Sequence, residues 1–196
     1  MDIILASTSP YRQGLLGRLQ IPFQCHSPEV DEKRLPDEAP GAMAARLALA
    51  KARSVAAKHP EALVIGSDQV AALDGRVMGK PGNHPAARAQ LRASAGRVVQ
   101  FYTGVALCRA SEGFERCEVE PFSAYFRDID DKSIENYLLL EQPYDCAGSF
   151  KCEGLGIALF ARLEGRDPTS LEGLPLIALT GLLAEAGVSI LGDRPG

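Results

Sequence analysis

No CxxC pair occurs anywhere in the 196 residues, and the cysteines form an odd set of five, Cys25, Cys108, Cys117, Cys146 and Cys152. That pattern suits reduced cytosolic thiols and excludes a disulfide frame. Histidine is equally sparse. Apart from the adjacent Cys25-His26, none of His26, His59 and His84 stands at metal-ligand spacing to a second His or Cys, which removes a structural zinc site. Basic charge is not in surplus: 21 Lys+Arg face 25 Asp+Glu, a net charge of −4, and the sequence pI is about 5.4. Non-specific nucleic-acid binders usually show clustered Lys/Arg and a pI above about 9, so no nucleic-acid partner is expected. A run of about 18 apolar residues is also missing, and the opening MDIILASTSP has an acidic second residue and no basic leader. No membrane span is expected, and the location expected is cytoplasmic.

Several active-site signatures are absent too. There is no Gly-x-Ser-x-Gly elbow, and Cys25 and His26, as sequence neighbours, would splay to opposite faces of a strand. Gly154-Leu155-Gly156 lacks the third glycine and the opening helix of a dinucleotide fingerprint. Gly75-Arg76-Val77-Met78-Gly79-Lys80-Pro81 superficially suggests a phosphate-binding P-loop, but three residues separate its glycines and Pro81 stands where the metal-binding Ser/Thr belongs.

What is present is a chain that is 46% hydrophobic, enough for a real core in one domain spanning 1–196. Residues 3–6 form a short apolar strand. Ser9 and Pro10 then offer an N-cap and first position for a helix carrying Leu15, Leu16 and Leu19. A second strand is expected at 23–27 and a loop at 28–40. The alanine-rich segment 42–59 is the clearest helix, with Met43, Leu47, Ala50 and Ser54 on one stripe and Arg46, Lys51, Arg53 and Lys58 elsewhere. Residues 63–66 read as a buried strand ending in the polar Ser67-Asp68-Gln69. Asp74-Gly75 marks a turn between 70–73 and 76–78. Further elements are a helix at 84–95, a hairpin of 98–108 and 118–126, a helix at 130–140 capped by Asp130 or Asp131, a strand at 157–163 and an amphipathic helix at 174–186. The alternation predicts an α/β fold with a mixed sheet.

Two segments bear on chemistry. In Ser7-Thr8-Ser9-Pro10-Tyr11-Arg12 a strand ends in hydroxyl residues at a helix N-terminus, where free N–H groups, hydroxyls, the helix dipole and the Arg12 fork suit an anion. Simple N-capping explains the same residues. In Ile65-Gly66-Ser67-Asp68-Gln69 a carboxylate follows a buried strand, well placed for metal or base work, or to cap a turn. Lys80, Lys51, and Asp31 with Glu32 in the long loop each read alone as solvated charges.

As an ordered set these pieces resemble the Maf family of nucleotide pyrophosphatases. The resemblance runs through Leu5 to Pro10 with Arg12, Val30-Asp31-Glu32, Ala50-Lys51-Ala52, Ile65 to Gln69, Gly79-Lys80-Pro81, Tyr102-Thr103-Gly104 and Ala147-Gly148-Ser149-Phe150. It implies an elongated mixed sheet flanked by helices, two lobes and a central cleft, as in the inosine triphosphate pyrophosphatases. It also implies hydrolysis of a nucleoside triphosphate to monophosphate and diphosphate with Mg²⁺, Mn²⁺ or Co²⁺, and a homodimer.

On that resemblance Asp68 is the proton acceptor and, with Glu32, a metal ligand, while Ser7, Ser9, Arg12, Lys51 and Lys80 meet the polyphosphate. A triphosphate carries about four negative charges, which such cations and a carboxylate-held metal can balance. Where family members acting on dTTP and UTP carry Arg, Thr and Gln, this chain has Tyr11, Gln69 and Glu153, a trio resembling the branch that acts on 7-methylguanosine triphosphate. N7 methylation makes guanine cationic, so Tyr11 could stack on it and Glu153 could accept from its N1–H and N2–H₂ edge. The alternatives are a surface ring and a loop charge at these positions, a dTTP/UTP specificity with the same machinery, or a nucleotide-binding regulator of septum formation.

Overall fold

The computed structural model describes residues 2–192. Its framework is a seven-stranded mixed sheet. The strands are β1 (Ile3–Leu5), β2 (Gln24–Cys25), β3 (Leu63–Leu73), β4 (Arg76–Met78), β5 (Val98–Arg109), β6 (Phe114–Phe126) and β7 (Phe160–Gly165). Their order is β2-β1-β3-β5-β6-β7, with β4 on the far end of β3. β1 runs parallel to β2 and β3, and the other pairs are antiparallel. Among the described residues five α-helices flank the sheet: α1 (Pro10–Gly17), α2 (Pro40–Ala56), α3 (His84–Ser94), α4 (Asp131–Glu141) and α5 (Leu176–Glu185). The mixed α/β class expected from the alternation is what forms.

Side chains of a strand alternate between faces, and the unbroken register of β3 on β5 makes that alternation usable here. Val64, Gly66 and Asp68 share one face with Gly104 and Ala106, and α2 covers it, packing Ala48, Ala52, Val55 and Ala56 against Val64 and Ala106. The opposite face carries two separate apolar clusters. Near one end Leu63, Ile65, Val105 and Leu107 pack with Leu15 and Leu16 of α1 and Leu179, Leu182 and Leu183 of α5. Near the other end Ala71, Val99, Phe101, Phe122 and Phe126 pack with Leu91 of α3, Leu138 of α4 and Phe150. Ser67, Gln69 and Thr103 lie between the two clusters, under the segment 167–173.

Four expectations change. β3 does not stop at Gly66 but runs as one strand of 11 residues through Asp68 to Leu73. The polar residues continue the ladder because β5 pairs with all of them, Asp68 opposite Gly104 and Gln69 opposite Thr103. On α2 the buried stripe is Ala44, Leu47, Ala48, Lys51, Ala52, Val55 and Ala56, one position off the stripe expected from Met43, Ala50 and Ser54. Lys51 is therefore on the buried face. Residues 155–159 form a 3₁₀ turn where the strand was expected to begin, so β7 starts at Phe160. The second strand contracts to Gln24–Cys25.

Two glycines bring α2 onto the sheet. A Cβ on Gly66 would collide with the Ala48 carbonyl oxygen, and one on Gly104 with that of Ala44. Any side chain at either place would have to push the helix off, so the helix backbone lies on the strands here and Lys51 reaches Asp68.

Candidate active site

Asp68 is the central residue of β3, midway between the two end clusters. Its Oδ1 accepts from Lys51 Nζ at 2.6 Å, and the same ammonium contacts Glu32 Oε1 at 2.7 Å. The side chains of Lys51 and Asp68 are 8% and 12% exposed, that of Glu32 57%. One cation thus joins a carboxylate from the sheet to a carboxylate from the 26–39 loop. The Lys51 hydrogen bond holds the Glu32 carboxyl below its ordinary range, with the charges of Lys51, Lys80 and Arg12 acting in the same direction and desolvation opposing. Lys80 itself is exposed.

The N-terminus of α1 completes this group. Ser9 is the N-cap, its hydroxyl accepting from Arg12 N at 3.5 Å, and Ser7 Oγ accepts from Ser9 N at 3.1 Å. Both hydroxyls therefore serve the backbone turn, in keeping with N-capping. Arg12 Nε donates to the Gly173 carbonyl at 2.8 Å. Desolvation lowers the guanidinium pKa, opposed by the charges of Asp68 and Glu32. Ser67 Oγ lies 2.9 Å from the same carbonyl. At φ +109°, Gly173 occupies a conformation that other residues rarely adopt. Ser67 and Gly173 carry no chemical signature of their own, so sequence reasoning missed this anchor.

Tyr11, next to Arg12, is partly exposed and its phenol is pushed up, first by burial and then by the charges of Cys146, Glu153, Asp145 and Glu141. Glu153 is thus one of the negative charges that reach the ring. Glu153 also lines a cleft of about 400 Å³ with Phe122, Cys152, Ile157, Leu171 and Glu172. Asp68, Lys51 and Glu32 do not line that cleft.

Gln69 lies on the opposite sheet face from Asp68. Its Nε2 donates to the carbonyls of Ser170 (2.8 Å) and Leu171 (3.0 Å) and lies 3.2 Å from Thr103 Oγ1. Leu171 is a wall of the cleft, so Gln69 braces that wall from behind, and its amide nitrogen is committed to the protein. A second unforeseen support is Asp167, fully buried. Its carboxylate accepts from Thr169 N, Thr169 Oγ1 and Ile177 N at 2.9, 2.6 and 2.6 Å, capping both the 168–170 turn and α5. Asp167-Pro168-Thr169-Ser170 is a legible capping signal.

The loop that carries Glu32 is tied down by Glu38. Arg46 grips the Glu38 carboxylate at 2.5 and 2.8 Å and also donates to the Lys33 carbonyl. Hydrogen bonding from Arg46, helped by Leu35 N–H and the nearby arginines, lowers the Glu38 pKa from an ordinary 4.5 to about 2. Because the folded value is depressed, the tether's contribution is fully present above about pH 4.5 and is lost as pH falls towards 2. In a carboxyl-resolved NMR titration Glu38 should titrate near 2, with Arg46→Met returning it towards 4.5. An ordinary Glu38 midpoint in the unaltered protein would mean that the loop is not held this way.

A divalent ion held by one or two carboxylates and completed by phosphate oxygens needs no all-protein cage. Glu32 and Asp68 each give one oxygen to the Lys51 ammonium, and the second oxygen of each carboxylate fits that mode beside the lysine, whereas no cluster of three or more His, Cys, Asp or Glu suited to a metal occurs among the described residues. Nor, among those residues, is any helix long and apolar enough to cross a membrane.

A family model described as Maf-like protein matches residues 2–186. A protein of Nitrosococcus oceani named 7-methyl-GTP pyrophosphatase is 54% identical over 189 residues, 96% of this chain and 95% of that one. Among solved structures, the Staphylococcus aureus Ham1 protein is similar at a TM-score of 0.47 and 13% identity, covering 65% of this chain and 73% of that one. With a family model matched along nearly its whole length, and with a relative of that identity, this chain belongs to the Maf family.

Proposed function

We propose that the chain hydrolyses 7-methyl-GTP to 7-methyl-GMP and diphosphate, using a divalent metal such as Mg²⁺, Mn²⁺ or Co²⁺. The observation that carries the base preference is an aromatic ring in the first turn of α1 whose phenol feels the negative charges of Glu153, Asp145 and Glu141. A cationic purine gains in such a place: stacking on Tyr11 contributes about 0.5–2 kcal/mol and a carboxylate accepts its edge donors. An uncharged uracil or thymine forgoes the cationic stacking and offers the carboxylate one edge N–H, where the guanine edge offers two donor groups. The relative of 54% identity carries the matching name, which supports the same reading.

Cleavage breaks the anhydride between the α and β phosphates, and water supplies the new oxygen. Asp68 takes the proton from that water. Lys51, held between Asp68 and Glu32, has a third N–H to give to a phosphate oxygen. Arg12 is fixed through its Nε, which leaves its terminal nitrogens for a bidentate phosphate grip. Lys80 adds charge from the rim. Glu32 and Asp68 would hold the metal, which supplies positive charge against the triphosphate and makes the attacking water more acidic.

Hydrolysis of 7-methyl-GTP, GTP, UTP and dTTP by one preparation, with a metal titration, tests the assignment. The expected order is 7-methyl-GTP first, and Glu153→Gln, which removes the charge that favours a cationic base, should reduce its advantage over GTP about tenfold, within the range of one charge pair near a protein surface. Dominant dTTP or UTP turnover would overturn the base assignment. Tight binding with no turnover under any metal would favour a nucleotide-responsive regulator.

A further inference from the structure

The loop that carries Lys80 is tied at both ends to the segment that leads into Glu153. Gln90, in the middle of α3, donates from Nε2 to the Gly79 carbonyl at 2.9 Å and accepts at Oε1 from Ser149 Oγ at 2.5 Å. A carbonyl can only accept, so the Gly79 contact decides which way the Gln90 amide faces. Ser149 is fully buried, and at φ +64° it follows Gly148, itself at φ +78°. A non-glycine residue in that conformation persists when its surroundings hold it, and the hydroxyl bond to Gln90 is part of that hold. At the other end of the loop Gly82 N–H donates to the Tyr144 carbonyl at 2.9 Å, and the Tyr144 hydroxyl meets the His84 ring at 2.9 Å. Lys80 and Pro81 lie between the two ties. Lys80 is exposed and near enough to lower the Glu32 pKa, so its own backbone is what must fix it.

We infer that Gln90 is a positioning residue of this enzyme: its amide fixes the Lys80 loop against the Ala147–Phe150 turn, so that the lysine meets the polyphosphate in a set place. The inference rests on the proposed role of Lys80 as a phosphate ligand. It also gives the Ala147-Gly148-Ser149-Phe150 motif a purpose, as the buried anchor for that amide.

Gln90→Glu separates the two halves of the contact. The carboxylate still accepts from Ser149 but repels the Gly79 carbonyl, so the fold keeps its anchor while the loop loses its tie. The melting temperature should stay within a few degrees, and kcat/KM should fall about tenfold, since displacement of a positioning group by about 1 Å can cost up to about a hundredfold. In a Lys80→Ala background the same substitution should cost less than about twofold, because Gln90 acts through Lys80. Gln90→Met, which removes both hydrogen bonds at similar length, provides the same cycle should the glutamate variant fail to fold. Full activity in these variants, or an equal loss with and without Lys80, overturns the inference. The base assignment fails separately: if the unaltered protein prefers another triphosphate, the cycle is measured on that nucleotide.

Discussion

Asp68→Asn is expected to abolish turnover while leaving the protein folded. The asparagine amide oxygen can still accept from Lys51, whose ammonium keeps Glu32 as a counter-ion, so the cost in stability should be about 1 kcal/mol. An amide cannot take a proton from water, and general-base removal lowers rates by about 10²–10⁴. Because Asp68 is also a proposed metal carboxylate, the loss should sit at the upper end. Steady-state hydrolysis of 7-methyl-GTP with urea unfolding on the same samples separates the two effects. Near-full metal-dependent turnover by the variant would remove Asp68 from the chemistry.

Lys51→Met should damage both stability and activity. The ammonium sits between two carboxylates, and its own side chain and that of Asp68 are almost entirely buried. Removing the cation from a buried pair costs about 3–5 kcal/mol, chiefly because the remaining charge is left without compensation. The Glu32 carboxyl, now lacking the hydrogen bond that most depresses it, should titrate at higher pH than in the unaltered protein. Activity should fall about 10²–10³-fold, the scale of one lost electrostatic donor to the reacting group. Denaturant midpoints, a carboxyl-resolved titration and kcat/KM each report one of these. An unchanged midpoint would show that water already screens the pair.

A conservative change at Gly66 shows how the same site depends on packing. Since a Cβ there meets the Ala48 carbonyl, the strand requires glycine for the helix to approach, and Lys51 lies three residues beyond Ala48 on that helix. The Gly66-Ser67-Asp68 order therefore serves two ends: the glycine admits α2, and the aspartate two places on, on the same face, meets its lysine.

Much of the chemistry was legible along the chain because it depends on residue type and local spacing. Ser9 as N-cap with Pro10 behind it, Asp130 as cap of α4, and the hairpin of β5 and β6 form as local rules require. The carboxylates Glu32 and Asp68, the cations Arg12, Lys51 and Lys80, and the ring at Tyr11 can be named as candidates from the ordered motifs. Their arrangement cannot. Hydrophobic spacing on α2 points one position away from the buried stripe because alanine-rich helices give a weak pattern, so that Lys51 reads as solvated although it is buried. Gln69 reads with Tyr11 and Glu153 as a residue that meets the base, but the strand continues through it and alternation sends it to the face opposite Asp68, where its amide nitrogen binds the protein. Arg12 is held by a carbonyl 161 residues away, and Gln90 by a hydroxyl 59 residues away. Such pairs carry no local signature, because either partner alone is an ordinary polar residue. Sequence by itself determined which charged and aromatic groups this protein has to offer a charged nucleotide; the tertiary structure decided which of them meet, since that depends on strand register and on how closely two backbones can approach.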